Sequence, residues 1–487
     1  AAVGQGGRAS VLRLMSTNDF HGGLEPRADG AAGRRGGAAQ LATVIRRLER
    51  ECTGGCTSLL VDGGDLFQGT PASNLAYGRP VIALFNALGH AAAALGNHEL
   101  DWGQDTLRAR MRDARFGILA ANITDPAGNR VPWIRPDTLV ERGGIRIGII
   151  GLALQGTPTT QFPRNIAGLT FRPAPPVVIE RAASLRARGA ELVFVIAHAG
   201  AACDTTCRGD MVDVAMQAGS AIDAIVGGHN HIEFSAVVNG VPIMRGRSSG
   251  RAVAMVDLPV ARNARASVRP QTVYVATDSV VPDAEIARIV EAAVAPVAEM
   301  ARRPIATIAE DMRRGVPQHA VGNFVADAQR AATGAEVAFM NNGGIRTDLR
   351  AGPAGYGTFF ELSPFGNVLV RLTVTGAQLR GYLERVVSRG TPNAHVSGLA
   401  ARYDPRRPQG ERIIDVTIGG QPLDPARNYV ISMSDFMASG GDGLALAGVP
   451  TVDTGIVDLD ALIAFAGVQP GGVVRADRTL RIASITP

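Results

Sequence analysis

Residues 58–65 read SLLVDGGD: an apolar run, Leu59-Leu60-Val61, stops abruptly at two glycines and a carboxylate. A short apolar run bounded by turn residues predicts a buried strand. The pattern recurs on either side. Val11–Met15 precedes Asn18-Asp19-Phe20-His21, and Ala91–Leu95 runs into Gly96-Asn97-His98-Glu99. Leu192–Ala197 precedes His198-Ala199, and Ile222–Val226 precedes Gly228-His229-Asn230-His231. Ile145–Leu152 is a further predicted strand, and Ala38–Arg50 and Val177–Arg188 carry helical patterns between the strands. Strands alternating with helices predict a layered α/β domain, whose ligands bind at the carboxyl ends of the strands.

Five motifs at five such strand ends supply imidazoles, carboxylates and an amide, with no thiolate. That donor mixture suits Zn²⁺, Mn²⁺ or Fe²⁺ better than a site built of oxygen alone. Two ions ~3.5–4 Å apart could clamp the attacking and leaving oxygens of an in-line displacement at phosphorus.

At 487 residues the chain exceeds a single core. It is 46% hydrophobic and 19% charged, which excludes a disordered chain, and no run is long enough for a membrane-spanning helix. No lysine occurs, so all 49 basic residues are arginine. A net charge of +5 without long basic runs, and 5% aromatics, argue against a nucleic-acid polymer as partner. Four cysteines form two C-x3-C pairs, Cys52/Cys56 and Cys203/Cys207, in polar surroundings. Local disulfides are the favoured reading; free thiols and a four-thiolate zinc site are the alternatives. Disulfides would imply an oxidising compartment. The start at Ala1 carries no leader-like segment, so a mature periplasmic or secreted protein is expected.

The texture changes after Val273. Asp283 opens the run DAEIARIVEAAVAPVAEMARR, with apolar residues at helical spacing and Pro296 placed to kink or break it. The expected organisation is residues 1–276 as the first domain, 277–304 as a connecting helix and 305–487 as a second α/β domain.

The ordered series D-x-H, GGD, GNHE, H and GGHNH resembles the calcineurin-type metallophosphoesterases. STNDFHGGLEPR, VDGGDLFQGTP and ALGNHELDWG narrow the resemblance to the bacterial 5′-nucleotidase family, which spans periplasmic UDP-sugar hydrolases and animal ecto-5′-nucleotidases. The resemblance implies a β-sandwich flanked by helices, joined by a helix to a second α/β specificity domain. It also implies two divalent ions, Zn or Mn foremost and Fe as an alternative. Asp19, His21, Asp65 and His231 would hold one; Asp65, Asn97, His198 and His229 the other, with Asp65 as the bridge. His98 would assist the leaving oxygen with Asp101 orienting it, while Glu99 is read as structural.

Three stretches of the second half resemble the family's nucleoside-binding motifs: NNGGIR at 341–346, ELSPFG at 361–366 and FMASGGDG at 436–443. By that resemblance Asn341 contacts the base, Arg346 the substrate, Phe365 and Phe436 sandwich the base, and Asp442 accepts from ribose hydroxyls. The sequence departs from the pattern where the family carries a second substrate arginine. Gly315 stands there, with Arg314 one residue away, so either Arg314 supplies the guanidinium or the contact is missing. The implied activity is hydrolysis of nucleoside 5′-monophosphates by in-line attack of a metal-activated hydroxide. UDP-sugars, dinucleotide pyrophosphates or 2′,3′-cyclic nucleotides are alternative substrates, and a catalytically silent nucleotide- or metal-binding protein is the non-enzymatic alternative. No protein partner is implied.

Overall fold

The computed structural model describes residues 8–29, 32–261 and 268–485; Ala1, on which the export expectation partly rests, lies outside them. The chain forms two compact units: Ala1–Gln68 with Ala72–Pro296, and Gly69–Pro71 with Val297–Pro487.

The first unit is a β-sandwich flanked by helices, as the resemblance implies. One six-stranded sheet runs, in spatial order, Gln271–Tyr274, Ala252–Pro259, Val11–Thr17, Cys56–Asp62, Ala92–Ala94, Gly117–Leu119. The other runs Phe234–Val238, Val241–Arg245, Ala224–Gly227, Leu192–Ala197, Ile145–Leu152, Asp137–Arg142. Side chains alternate across a strand, so each strand serves two layers. Ile145, Ile147 and Ile149 meet Leu12, Leu14, Leu59 and Val61 between the sheets. Ile150 and Leu152 face outward and are covered by Val178, Ala182 and Leu185 of helix Ala174–Ala187 and by Met211 and Val214 of helix Asp210–Ala218. Helix Ala38–Glu51 turns Leu41, Val44, Ile45 and Leu48 inward.

Both cysteine pairs are local disulfides, Cys52–Cys56 and Cys203–Cys207, and no cysteine is free. That removes the thiolate-zinc alternative. The run opening at Asp283 forms helix Ala284–Val294, whose first amides are capped by the Asp283 carboxylate. Pro296 then breaks it: a single 3₁₀ turn, Ala295–Val297, precedes the short helix Ala298–Arg302.

In the second unit a five-stranded sheet has the order Ala394–Ser397, Val337–Asn341, Asn428–Ser434, Val368–Thr375, Thr451–Val457. Phe339 on one face packs with Tyr382 and Leu383 of helix Gly376–Val386, over the sheet that includes Leu399–Tyr403 and Ile413–Ile418. Met340 on the other packs with Val325 and Ala328 of helix Ala320–Thr333 and Leu462 of helix Asp458–Gly467.

His319 caps helix Ala320–Thr333: its Nδ1 accepts from the Gly322 amide (3.1 Å), so its Nε2 carries the proton and faces His395 Nε2 at 3.2 Å. Burial, with Arg314 adding to it, lowers His319 to about 4; burial, with His319 adding to it, lowers His395 to about 3. Both lie below the ~6.5 of an unfolded histidine, so the unfolded chain binds more protons in acid. The stability they contribute is complete above pH ~6.5 and declines as pH falls toward 4, with a slope approaching ~1.4 kcal/mol per pH unit per histidine. His319→Asn keeps a capping oxygen and removes one ionisation. Its denaturant midpoint is expected to fall less steeply than wild type between pH 6.5 and 4.5; an unchanged slope would contradict the assignment.

Candidate active site

The motif loops leave the carboxyl ends of parallel strands held in register: Thr17 pairs Asp62 and Asp62 pairs Ala93 in one sheet, and Ala197 pairs Gly227 in the other. The two sheets' ends come together here. A Cβ on Gly63 would overlap the carbonyl oxygen of Gly227, so this approach needs a glycine.

Asp19, His21, Asp65 and His231 each direct a donor atom to one point, all four within 4.8 Å of one another. His21 Nδ1–H donates to the Gln68 carbonyl at 2.7 Å, which leaves Nε2 as a lone pair 3.0 Å from His231 Nε2 and 3.7 Å from Asp65 Oδ2. On the other side of Asp65, His198 Nε2 lies 3.0 Å from Asp65 Oδ2 and 3.1 Å from Asn97 Oδ1, while its Nδ1–H donates to Gly63 O at 2.9 Å. The His229 ring sits 5.3 Å from that of His198. His21 and His198 are thus each fixed by a second hydrogen bond with Nε2 presented inward, as metal-binding histidines require. Opposed imidazole nitrogens beside two buried carboxylates form a donor set that divalent cations satisfy.

The charges agree with the geometry. Burial opposes ionisation of Asp65, yet His198 and His98 hold it well below the usual carboxylate range. Burial opposes a charge on His198, yet Asp65 raises it to about 10. Burial, reinforced by Asp65 and opposed by His198, lifts Asp19 to about 6. A proton between His198 Nε2 and Asp65 Oδ2 and a cation are alternatives for one space, so cation binding would release protons.

Five of these residues have left-handed backbones: Asp19 (φ 46°), His21 (49°), Asp65 (59°), His229 (74°) and His231 (58°). Such conformations cost on the order of 1 kcal/mol each outside glycine and cluster at functional sites. The surrounding bonds hold them. Asn18 Nδ2 donates to Asp19 Oδ2 (2.7 Å), and its Oδ1 accepts from Gly246 N. Glu99 accepts from the amides of Asp65 (2.9 Å), Leu66 (2.7 Å) and Gly96 (2.8 Å), tying the GGD loop to the GNHE loop.

His98 Nδ1 meets Asp101 Oδ2 at 2.9 Å, and the His98 amide donates to Asp65 Oδ1 at 2.9 Å. Asp101 is held in turn by Gln161 Nε2 on its Oδ1 and by Asn165 Nδ2 on its carbonyl (3.0 Å). The sequence reading had no signal for Gln161 or Asn165, which lie some sixty residues away and belong to no motif.

Arg245 was also missed. It is 1% exposed and donates to three carbonyls, Ile232 and, at 3.2 Å each, Gly228 and Ala201. These bracket His229 and His231 and the loop after His198. Arg245→Met strands those carbonyls and is expected to destabilise the protein by about 2–4 kcal/mol, with Arg245→Lys recovering part of it. Chemical denaturation checks this, and a loss below ~1 kcal/mol would mean that the loops stand without the clamp.

In the second unit Asn341 ends strand Val337–Asn341, and its Nδ2 donates to Asp442 Oδ2 at 2.6 Å. Asp442 is itself left-handed (φ 54°) in the turn Gly441–Gly443. The Arg346 guanidinium lies 5.5 Å from the centre of the Phe365 ring and donates to Gly343 O at 3.2 Å. Arg314 Nη1 donates to Ile345 O at 2.6 Å, close enough to Arg346 for the two charges to repel. Phe436 is half-buried against the apolar core under the five-stranded sheet. Asn341 and Asp442 are thus brought together, as are Arg314, Arg346 and Phe365.

Comparison with known proteins agrees with this architecture. Residues 12–233 match the calcineurin-like phosphoesterase family and residues 299–448 the 5′-nucleotidase C-terminal domain. Endonuclease YhcR of Bacillus subtilis is 27% identical over 93% of this chain, which spans 39% of that relative's length. Protein UshA of Escherichia coli is 27% identical over 93% of this chain and 90% of its own. The crystal structure of a 5′-nucleotidase precursor from Thermus thermophilus superposes with a TM-score of 0.86 at 26% identity, covering 98% of this chain and 100% of that one. A motif series at strand ends, a sandwich that gathers it and a second unit agree with the two matches: the chain carries a calcineurin-like phosphoesterase domain followed by a 5′-nucleotidase C-terminal domain.

Proposed function

We propose that the protein hydrolyses nucleotides, nucleoside 5′-monophosphates foremost, to nucleoside and phosphate at a dinuclear metal centre. The observation that carries this reading is the convergence of Asp19, His21, Asp65 and His231 donor atoms within 4.8 Å. These four would hold one ion, and Asp65, Asn97, His198 and His229 the second. Zn²⁺ or Mn²⁺ fits the donors best, with Fe²⁺ as an alternative. When bound, such ions neutralise phosphoryl charge and acidify water near neutral pH.

The chain's own groups supply the rest. Asp65 serves both halves of the centre through one carboxylate. Asp101 accepts a hydrogen bond from His98 Nδ1–H, which turns Nε2 outward as the atom that hands a proton to the departing ribose oxygen. Gln161 and Asn165 hold Asp101 in place. In the second unit Arg346 and Arg314 bind the substrate's anionic part. Asn341 reads the base, Asp442 accepts from ribose hydroxyls, and Phe365 and Phe436 offer stacking faces. The names of the relatives, UshA and 5′-nucleotidase among them, support the nucleotide class. Two disulfides support an oxidising compartment, periplasmic or extracellular. No helix among the described residues is long and apolar enough to cross a membrane.

The test compares phosphate release from AMP and from p-nitrophenyl phosphate, alongside UDP-sugars, dinucleotides and 2′,3′-cyclic AMP. Phe365→Ala and Phe436→Ala are each expected to cost AMP ~1–3 kcal/mol in kcat/KM and the aryl phosphate far less. Equal losses would return both rings to a packing role. A higher kcat/KM for a pyrophosphate or cyclic substrate than for AMP would replace the proposed substrate.

A further inference from the structure

At one open end of the first unit's sandwich the two sheets present edge strands, Gly117–Leu119 and Asp137–Arg142. Between them lies a groove of about 510 Å³. Its lining includes four arginines, Arg108, Arg112, Arg115 and Arg135, with Trp133 and Phe116, and none of the candidate metal or catalytic residues. The volume falls within the ~300–1,000 Å³ of small-molecule sites.

The charge in this groove is poorly compensated. Arg135 Nη2 is engaged by the neutral hydroxyl of Thr138 (3.1 Å). Arg108 approaches Asp105 only to 3.6 Å, and that carboxylate is 99% exposed and solvent-screened. The nearby Asp113 is taken by Arg110 at 2.9 Å. Arg112 and Arg115 have no carboxylate within ion-pair distance among the described residues. A single arginine near a helix end is explained by the helix dipole. Four guanidiniums around one concavity repel one another, and the repulsion is relieved by an anion that several can fork onto at once. Trp133, half-buried with the Arg108 guanidinium 5.9 Å from its ring centre, adds a flat apolar face beside that charge.

We propose that this groove binds a small anion carrying two or more phosphate groups, with a nucleoside diphosphate or triphosphate able to stack its base on Trp133 as well. The site is separate from the metal centre, so its occupancy can be read without turnover. Tryptophan fluorescence suits this, because the chain has two tryptophans and Trp102→Phe leaves Trp133 as sole reporter.

In that protein, with its metals present, α,β-methylene-ADP is expected to quench Trp133 saturably. Inorganic pyrophosphate should compete about tenfold more weakly, having no base. Adding Arg112→Ser and Arg115→Ser should weaken methylene-ADP binding at least ~10-fold while the melting temperature stays unchanged. Pyrophosphate matching methylene-ADP would retain the phosphate site and remove the base from it. Three outcomes would overturn the proposal: no saturable quenching, an unchanged affinity in the arginine variant, or tighter binding of oligothymidylates that grows with their length. The last would make the groove a polynucleotide surface. AMP hydrolysis enters none of these readouts, so a failure here and a failure of the proposed function are separately visible.

Discussion

His98→Asn is expected to keep both metal ions and to lose ~10²–10⁴-fold in AMP turnover, the scale of a positioned acid. The main-chain amide at position 98 is what bonds to Asp65 Oδ1, and asparagine retains it, so the Asp65 carboxylate stays placed. What disappears is an imidazole held by Asp101, itself fixed by Gln161 and Asn165. Because p-nitrophenolate leaves readily without a proton, the same variant should lose much less on p-nitrophenyl phosphate. Metal analysis and steady-state kinetics on one preparation check both halves. Undiminished AMP turnover would remove His98 from the chemistry.

Asp65→Asn is expected to be worse, and for another reason. Asp65 stands between His21 at 3.7 Å and His198 at 3.0 Å, so its carboxylate is reached by an imidazole from either side. Asparagine keeps the shape and removes the charge, leaving imidazoles around a neutral amide in a buried pocket. The variant should lose metal on dialysis against a chelator that wild type resists, and activity should fall with metal content. It should also lose the part of its thermal stability that depends on bound ions, since a ligand stabilises only the state that binds it. Two fully occupied sites after dialysis would refute the bridging role.

The strands and the candidate site were legible in the sequence to unequal degrees. Ile145–Leu152 and Leu192–Ala197 coincide with their predicted limits, because a continuous apolar run bounded by polar turns leaves little latitude. The partition of strands between two sheets was not visible in periodicity, which reports burial and not neighbours; the family resemblance implied a sandwich without assigning its strands. The donors were visible because imidazoles and carboxylates at strand ends are chemically conspicuous. Asn18, Gln161, Asn165 and Arg245 were not conspicuous. Gln161 and Asn165 act through hydrogen bonds to groups distant in sequence, Asn18 through a bond to its neighbour Asp19 and others to the remote Gly246, and Arg245 through carbonyls, which every residue possesses.

The left-handed backbone at Asp19, His21, Asp65, His229 and His231 constrains how this centre can be altered. Aspartate, asparagine and histidine are the residues other than glycine that best tolerate that conformation, and each also carries a donor atom. Glutamate shares the donor chemistry without the backbone tolerance, and a β-branched threonine fits neither demand. Routes from this centre to a different donor set are therefore narrow. Exchange among the three tolerated side chains is open at these positions, whereas lengthening a carboxylate by one methylene would require the loop beneath it to be rebuilt.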